Sequence, residues 1–133
     1  MKNWIIIGLL IVHAVSVKSQ DTMQILNVSP GDFQINMDTC VNRIILETRE
    51  RFQFKKQRIP GAVNVPSMGA LDSLTDTLDL DTPLLVYCEI GKRSKTVCVL
   101  LQKKGFTIIV NLEKGIRQWK RERFLLDDSA LEK

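Results

Sequence analysis

One cysteine stands where an α/β protein most often places a reactive side chain. An uncharged apolar segment, Leu84–Tyr87, ends at Cys88, and a short stretch containing Gly91 follows. From Ser94 onward apolar residues recur at helical spacing, so the pattern predicts a buried strand, a tight loop and a helix start. Open α/β sheets bind ligands just outside the carboxyl ends of their strands. We therefore expect Cys88 to lie at a ligand-binding edge.

The predicted surroundings of Cys88 favour its thiolate, which is the nucleophilic form of cysteine. A helix start offers unpaired N–H groups and the positive end of the helix dipole, and Gly91 allows the loop to turn its amides inward. The single histidine, His13, lies in the N-terminal segment, which excludes a Cys–His pair in the domain that follows. The sequence thus predicts a nucleophilic cysteine in an anion-binding loop, with no metal and no cofactor.

Six residues after the cysteine form the predicted substrate-binding loop: Glu89, Ile90, Gly91, Lys92, Arg93 and Ser94. Arg93 can hydrogen-bond an oxyanion in a forked geometry, although a surface arginine or a pair with Glu47 or Glu89 is the ordinary alternative. Ser94 is expected to serve as a helix-start hydroxyl that can reach the sulfur. Glu89 is a mild obstacle to the binding of a small anion.

The chain contains three cysteines, an odd number at no metal-ligand spacing, which does not fit a disulfide framework. Cys98 shares a predicted helical face with Val97 and Leu101, so we expect it to be a small core residue. A resolving thiol that reaches Cys88 is the alternative. Cys40 precedes a predicted strand and has no evident partner.

Length and composition bound the class of protein. The chain has 133 residues, of which 44% are hydrophobic and 26% charged, as in one ordinary globular domain with its own core. The net charge is +4, and Lys2 and Lys18 supply two of these charges, so the remainder is too small to predict nucleic-acid binding. The basic run from Lys55 to Arg58 is expected to be a solvated face.

Residues 1–19 have the plan of a secretory signal peptide: a charged start at Lys2, a short apolar core, and small residues before Gln20. The uncharged part, 3–17, is shorter than the roughly 20 residues that span a bilayer. We therefore expect cleavage, with an uncleaved anchor as the alternative. Either reading predicts an exported domain at 20–133, periplasmic or extracellular, that contacts a membrane only if the segment is retained.

Strands and helices alternate along the rest of the chain. The predicted strands are 23–28, 43–46, 62–65, 84–87 and 107–112. The predicted helices are one from Ser29 to about 38, then 50–56, 68–79, one from Ser94 to Gly105, and 115–123. This rhythm indicates an α/β fold with a mostly parallel sheet and helices on both faces.

The order and spacing of four segments resemble a single-domain rhodanese, a sulfurtransferase module, over essentially all of Met23 to Leu126. The segments are 58–66 (RIPGAVNVP), 86–94 (VYCEIGKRS), 105–106 (GF), and 112–115 (LEKG) with Trp119. The resemblance implies a five-stranded parallel sheet with helices on both faces. It also implies that Cys88 carries a sulfane sulfur. Arg49 and Arg58 are expected to be supporting residues, and Arg49 is expected to tie the strand end to the loop through a carboxylate.

The implied activity is transfer of sulfane sulfur from a small anionic donor, such as thiosulfate, polysulfide or a persulfide, to cyanide or a thiol, including a protein thiol. The chain departs from the family where Glu47-Thr48-Arg49 replaces Asp-Val-Arg and Gln57-Arg58 replaces Gly-His. A non-catalytic partner-binding module is the first alternative. A phosphatase or arsenate reductase is the second, but its loop is one residue longer than the six positions from Cys88 to Arg93.

Overall fold

A computed structural model describes residues 23–131, and the predicted signal segment 1–19 lies outside that range. Strands and helices alternate as predicted. The strands are β1 Ile25–Val28, β2 Ile44–Glu47, β3 Ala62–Asn64, β4 Leu84–Tyr87 and β5 Ile109–Leu112. The helices are α1 Pro30–Thr39, α2 Arg51–Lys56, α3 Met68–Thr75, α4 Lys92–Lys104 and α5 Gly115–Arg121.

The five strands form one sheet in the order β1-β5-β4-β2-β3, and every neighbouring pair is parallel. This confirms the predicted fold. β4 is the central strand, with Val86 in register with Leu46 of β2, and Leu85 with Val110 of β5. Cys88 therefore follows the middle strand at the carboxyl edge of the sheet.

Helices cover both faces of the sheet, and β4 contributes to both cores. Leu85 and Tyr87 pack with side chains of α1 and α5, including Phe33 and Trp119. Leu84 and Val86 pack on the opposite face, with side chains of α3 and α4. Each buried apolar side chain of this size contributes roughly 1.5–3 kcal/mol. Because β4 is held from both sides, the position of the residue that follows it is fixed.

Most elements differ from the predicted bounds by one or two residues, and α3 by four. α4 begins at Lys92 instead of Ser94, because Gly91 takes the left-handed conformation (φ 93°) and ends the loop two residues earlier. α3 stops at Thr75 instead of 79, where turn hydrogen bonds such as Leu78 N–H to the Thr75 carbonyl (3.1 Å) replace the helical pattern. β5 begins at Ile109 instead of 107. These shifts leave the leucines of α3 against the core.

Of the two phenylalanines in α2, Phe54 is buried, whereas Phe52 is 72% exposed. Within residues 23–131 the longest helix is α4, with 13 residues. Between residues 23 and 131 no helix has the length and apolar character needed to cross a bilayer.

Candidate active site

The thiol of Cys88 is buried just beyond the end of β4 and has two polar neighbours. The Gly91 N–H donates a hydrogen bond to the Cys88 sulfur at 3.1 Å. The thiol in turn donates to the Ser94 hydroxyl oxygen at 3.2 Å. Ser94 is itself fully buried in the first turn of α4. The sulfur therefore sits under a short loop, with one main-chain amide and one hydroxyl already directed at it.

The start of α4 supplies further donors near this sulfur. The N–H groups of Lys92, Arg93 and Ser94 have no hydrogen-bond acceptor within the described part of the chain. Such first-turn N–H groups, together with the positive end of the helix dipole, stabilise an anion. The loop is thus built to hold negative charge on or above the Cys88 sulfur.

Helix α5 orients the cysteine loop from the other side. The Ile116 N–H donates to the Cys88 carbonyl at 2.9 Å, and the Arg117 N–H donates to the Glu89 carbonyl at 3.1 Å. In a planar trans peptide the N–H points opposite to the preceding carbonyl. The amides of Glu89 and Ile90 therefore point away from α5.

Two glycines allow this close approach of loop and helix. Gly91 has φ 93° and Gly115 has φ 67°, both in the left-handed region. A Cβ atom on Gly115 would overlap the Glu89 carbonyl and lie 2.6 Å from the Ile90 nitrogen. The contact of Gly115 with the cysteine loop was not predicted from the sequence, where this glycine appeared as a helix start and as part of the segment 112–115. The requirement for glycine at this position comes from its contact with the cysteine loop, which lies 25 residues earlier in the sequence at Ile90.

Arg49 links the end of β2 to the cysteine loop. Its guanidinium is buried and forms an ion pair with Glu47 through Nε, while Nη1 lies 3.2 Å from Glu89 Oε2. Nη2 donates to the Gln57 carbonyl at 2.6 Å. Arg49 therefore ties together β2, the end of α2 and the first loop residue after Cys88.

The carboxylate of Glu47 is fully buried beside Arg49 and accepts a second hydrogen bond, from the Tyr87 hydroxyl. The Tyr87 oxygen accepts from the Ile59 N–H at 3.0 Å. Burial, reinforced by the neighbouring negative charge of Glu47, raises the pKa of Tyr87 far above its usual value. The phenol thus stays protonated and acts as a fixed donor at the end of β4.

Arg93 lies at the opening above Cys88 and is already engaged. Its guanidinium is half-exposed, with Nη1 3.0 Å from Glu50 Oε1 and Nη2 2.7 Å from the Pro66 carbonyl. The opening is a cavity of about 190 Å³, which besides Cys88 is lined by Arg49, Gln53, Glu89, Ile90, Lys92 and Arg93. Among these cations, Lys92 has no carboxylate partner in the described residues.

Arg58, predicted as a supporting residue, has its polar partners elsewhere. Its guanidinium is buried and lies 3.0 Å from Asp127 Oδ2, and it donates to the Ser129 hydroxyl at 3.0 Å and to the Phe54 carbonyl at 3.3 Å. Hydrogen bonds from Ser129, together with the charge of Arg58, lower the pKa of Asp127. Arg58 fastens the C-terminal segment to the end of α2, and none of these partners belongs to the cysteine loop.

The other cysteines are free thiols outside the opening. Cys98 is completely buried in the core between α4 and the sheet, as predicted. Burial, with a further contribution from Cys88, raises the pKa of Cys98 to about 12, which makes it a poor nucleophile at neutral pH. Cys40 is the half-buried C-cap of α1. Residues 23–131 contain no cluster of three or more side chains suited to a metal ion.

A profile of the family described as "Rhodanese-like domain" matches residues 29–122. This chain belongs to that family.

Two curated relatives come from Bacillus subtilis. The protein named "Putative sulfurtransferase YtwF" is 30% identical over 100 residues, which cover 75% of this chain and 95% of that protein. The protein named "Putative sulfur carrier protein YrkF" is 28% identical over 101 residues, which cover 76% of this chain and 54% of that protein. The chain thus spans about half the length of the second relative.

Solved structures share the fold at lower identity. A rhodanese-related protein from Thermoplasma volcanium has a TM-score of 0.66 and 24% identity, and the match covers 78% of this chain and 99% of the other. The rhodanese-like domain of an Anabaena protein has a TM-score of 0.70 and 19% identity, and the match covers 80% and 81%. These similarities establish the fold.

Proposed function

We propose that this protein is a sulfurtransferase in which Cys88 carries a sulfane sulfur as a persulfide. The observation that carries the proposal is the Gly91 N–H at 3.1 Å from the Cys88 sulfur, under the free first-turn amides of α4. Membership of the rhodanese-like family and the sulfurtransferase names of relatives support the same class of reaction.

In the first step the Cys88 thiolate attacks the outer sulfur of the donor. With thiosulfate, a bond forms between the Cys88 sulfur and the sulfane sulfur, the original S–S bond breaks, and sulfite leaves with the electron pair. The products are a persulfide anion on Cys88 and sulfite, so the total charge is unchanged. Lys92, at the opening, raises the potential that attracts the donor.

In the second step a thiophilic acceptor attacks the terminal sulfur of the persulfide. With cyanide, a carbon–sulfur bond forms, thiocyanate leaves, and the electron pair of the broken S–S bond returns to Cys88 as thiolate. Both states of the cysteine are anionic, so the same amides stabilise each of them. The Ser94 hydroxyl can rotate to donate to the sulfur once the thiol proton is gone.

The central experiment is mass spectrometry of the intact protein after treatment with thiosulfate or polysulfide, followed by peptide mapping. We expect a gain of one sulfur atom on the peptide containing Cys88, and its loss on addition of cyanide. A protein that gains no sulfur, or gains it on Cys40 or Cys98 alone, would contradict the proposal. Hydrolysis of a phosphate monoester faster than sulfur transfer would favour a phosphatase instead.

We also propose that the domain acts outside the cytoplasm, as the pattern of residues 1–19 suggests. The test is fractionation of a bacterial host that expresses the full chain. The expected result is a periplasmic or secreted protein beginning at Gln20. A protein with residues 1–19 intact in the cytoplasmic fraction would contradict export.

A further inference from the structure

A second cavity adjoins the one above Cys88. It has a volume of about 360 Å³ and lies between α2 and α5; we call it the α2–α5 groove. Three residues, Arg49, Gln53 and Glu89, line both cavities. The two cavities are therefore adjacent, and the Arg49–Glu89 ion pair forms part of the wall of each.

The groove carries positive charge that is not paired with carboxylates of residues 23–131. Lys56 and Lys120 line it from opposite helices, and both side chains are exposed. Neither forms an ion pair with a carboxylate in residues 23–131. The one carboxylate in the lining, Glu89, is offset by Arg49 at 3.2 Å and Arg117 at 3.8 Å. The groove thus favours an anionic ligand.

One wall of the groove is apolar. Phe52 lies in the lining with 72% of its surface exposed, whereas Phe54, two residues later in α2, is buried in the protein. A large aromatic side chain beside two unpaired cations suits a ligand with both an uncharged body and an anionic group. Lys56 and Lys120 line the groove but not the cavity around Cys88, so they bear on a donor long enough to occupy both cavities.

We infer that the α2–α5 groove is a second subsite that binds the carboxylate-bearing part of a low-molecular-weight organic persulfide. This inference rests on the proposed function. The Cys88 thiolate attacks the terminal sulfur of R–S–SH, a new S–S bond forms, and R–S⁻ leaves with the electron pair. The proton on the transferred sulfur is then released to solvent, so the persulfide on Cys88 is anionic, as it is after reaction with thiosulfate. Lys56 and Lys120 hold the carboxylate of R during this exchange.

The test compares two donors, glutathione persulfide and thiosulfate, on the full chain and on the double variant Lys56→Gln/Lys120→Gln. The control is Lys55→Gln/Arg121→Gln, which removes the same charge from neighbouring positions outside the groove lining. We expect the ratio of kcat/KM for glutathione persulfide to that for thiosulfate to fall about tenfold in the first variant and less than twofold in the control. A second arm uses the persulfide of glutathione diethyl ester with the unmodified protein, where the same ratio should fall by a similar factor.

Three outcomes would overturn the inference. One is an equal fall for both donors, which would mean that the lysines act only through the general potential at Cys88. Another is an equal fall in the control variant. The third is an ester donor as efficient as the acid. Failure of both donors with every protein would instead contradict the sulfurtransferase proposal, so the two failures are distinguishable.

Discussion

The carbonyl oxygen of Glu113 occupies the space that a Cβ atom on Gly91 would need. The loop that begins at Cys88 and the loop that ends β5 are in backbone contact at this point. Because Gly91 also has φ 93°, no other residue fits without moving one of the two loops. The Gly91 N–H that reaches the Cys88 sulfur is therefore set by a contact with a different part of the chain.

Gly91→Ala should displace the cysteine loop. The left-handed conformation costs a non-glycine residue about 1–2 kcal/mol, and the overlap with Glu113 adds to this. We expect at least about 2 kcal/mol of lost unfolding free energy and roughly a 100-fold fall in kcat/KM for thiosulfate, measured by urea denaturation and thiocyanate formation. Gly69→Ala is the control, since beyond its chain neighbours and the backbone of α3 no atom lies within 4 Å of the added Cβ. Equal effects of the two changes would contradict this account.

Cys88→Ser should abolish cyanide-dependent thiocyanate formation, because the hydroxyl cannot carry a sulfane sulfur. Cys98→Ser should keep most of the activity and lose about 1–3 kcal/mol of unfolding free energy, since it places a hydroxyl in the core. Steady-state rates and denaturation curves of both variants provide the measurement. Comparable loss of activity in the two variants would mean that the thiols work as a pair.

Glu89→Gln should improve the use of a small anionic donor. The change removes a negative charge from the wall of the opening and keeps an oxygen that can accept from Arg49. We expect KM for thiosulfate to fall about two- to fivefold at low ionic strength, with a smaller difference in high salt. Glu122→Gln, an exposed residue at the end of α5, is the matched control. A raised KM that salt does not change would show that Glu89 acts mainly by holding Arg49.

Alkaline pH should destabilise the protein through Cys98. Its pKa is about 12 when folded, mainly because of burial, whereas an unfolded cysteine ionises near its ordinary value. The folded-state pKa is the higher of the two, so the contribution is intact below about pH 8.5 and is lost as pH rises towards 12. Above pH 8.5 we expect the unfolding free energy to fall by up to about 1.4 kcal/mol per pH unit more in the unmodified protein than in Cys98→Ser. Denaturation at a series of pH values measures how the unfolding free energy of each protein changes with pH. The two slopes should agree below pH 8. Identical slopes at pH 9 would contradict the prediction.

Local patterns in the sequence predicted the elements that carry the thiol. The uncharged run Leu84–Tyr87 predicted a buried strand, and all four of its residues are buried in β4. Gly91 predicted a loop between this strand and the next helix. The prediction placed the start of α4 two residues too late, at Ser94. The helix begins after Gly91 because of the backbone angle of that glycine, and the spacing of apolar residues carries no information about this angle.

Contacts between residues far apart in the sequence were harder to predict. Arg49 was expected to pair with a carboxylate, but its position between Glu47 and Glu89 depends on how β2 and β4 align. Arg58 is the last residue of the basic run that was predicted to be a solvated face, yet it is buried, because Asp127 and Ser129 contact it from the end of the domain. Nothing in the neighbouring sequence of Arg58 reports these partners.

The hydrogen bonds from Ile116 and Arg117 to the carbonyls of Cys88 and Glu89 have a consequence during biosynthesis. A nascent chain that has emerged from the ribosome only as far as α4 contains the thiol but lacks the amides that orient its loop. The loop around Cys88 can take its observed form only after α5 has emerged and docked, so the surroundings of the thiol are completed late in the folding of the domain.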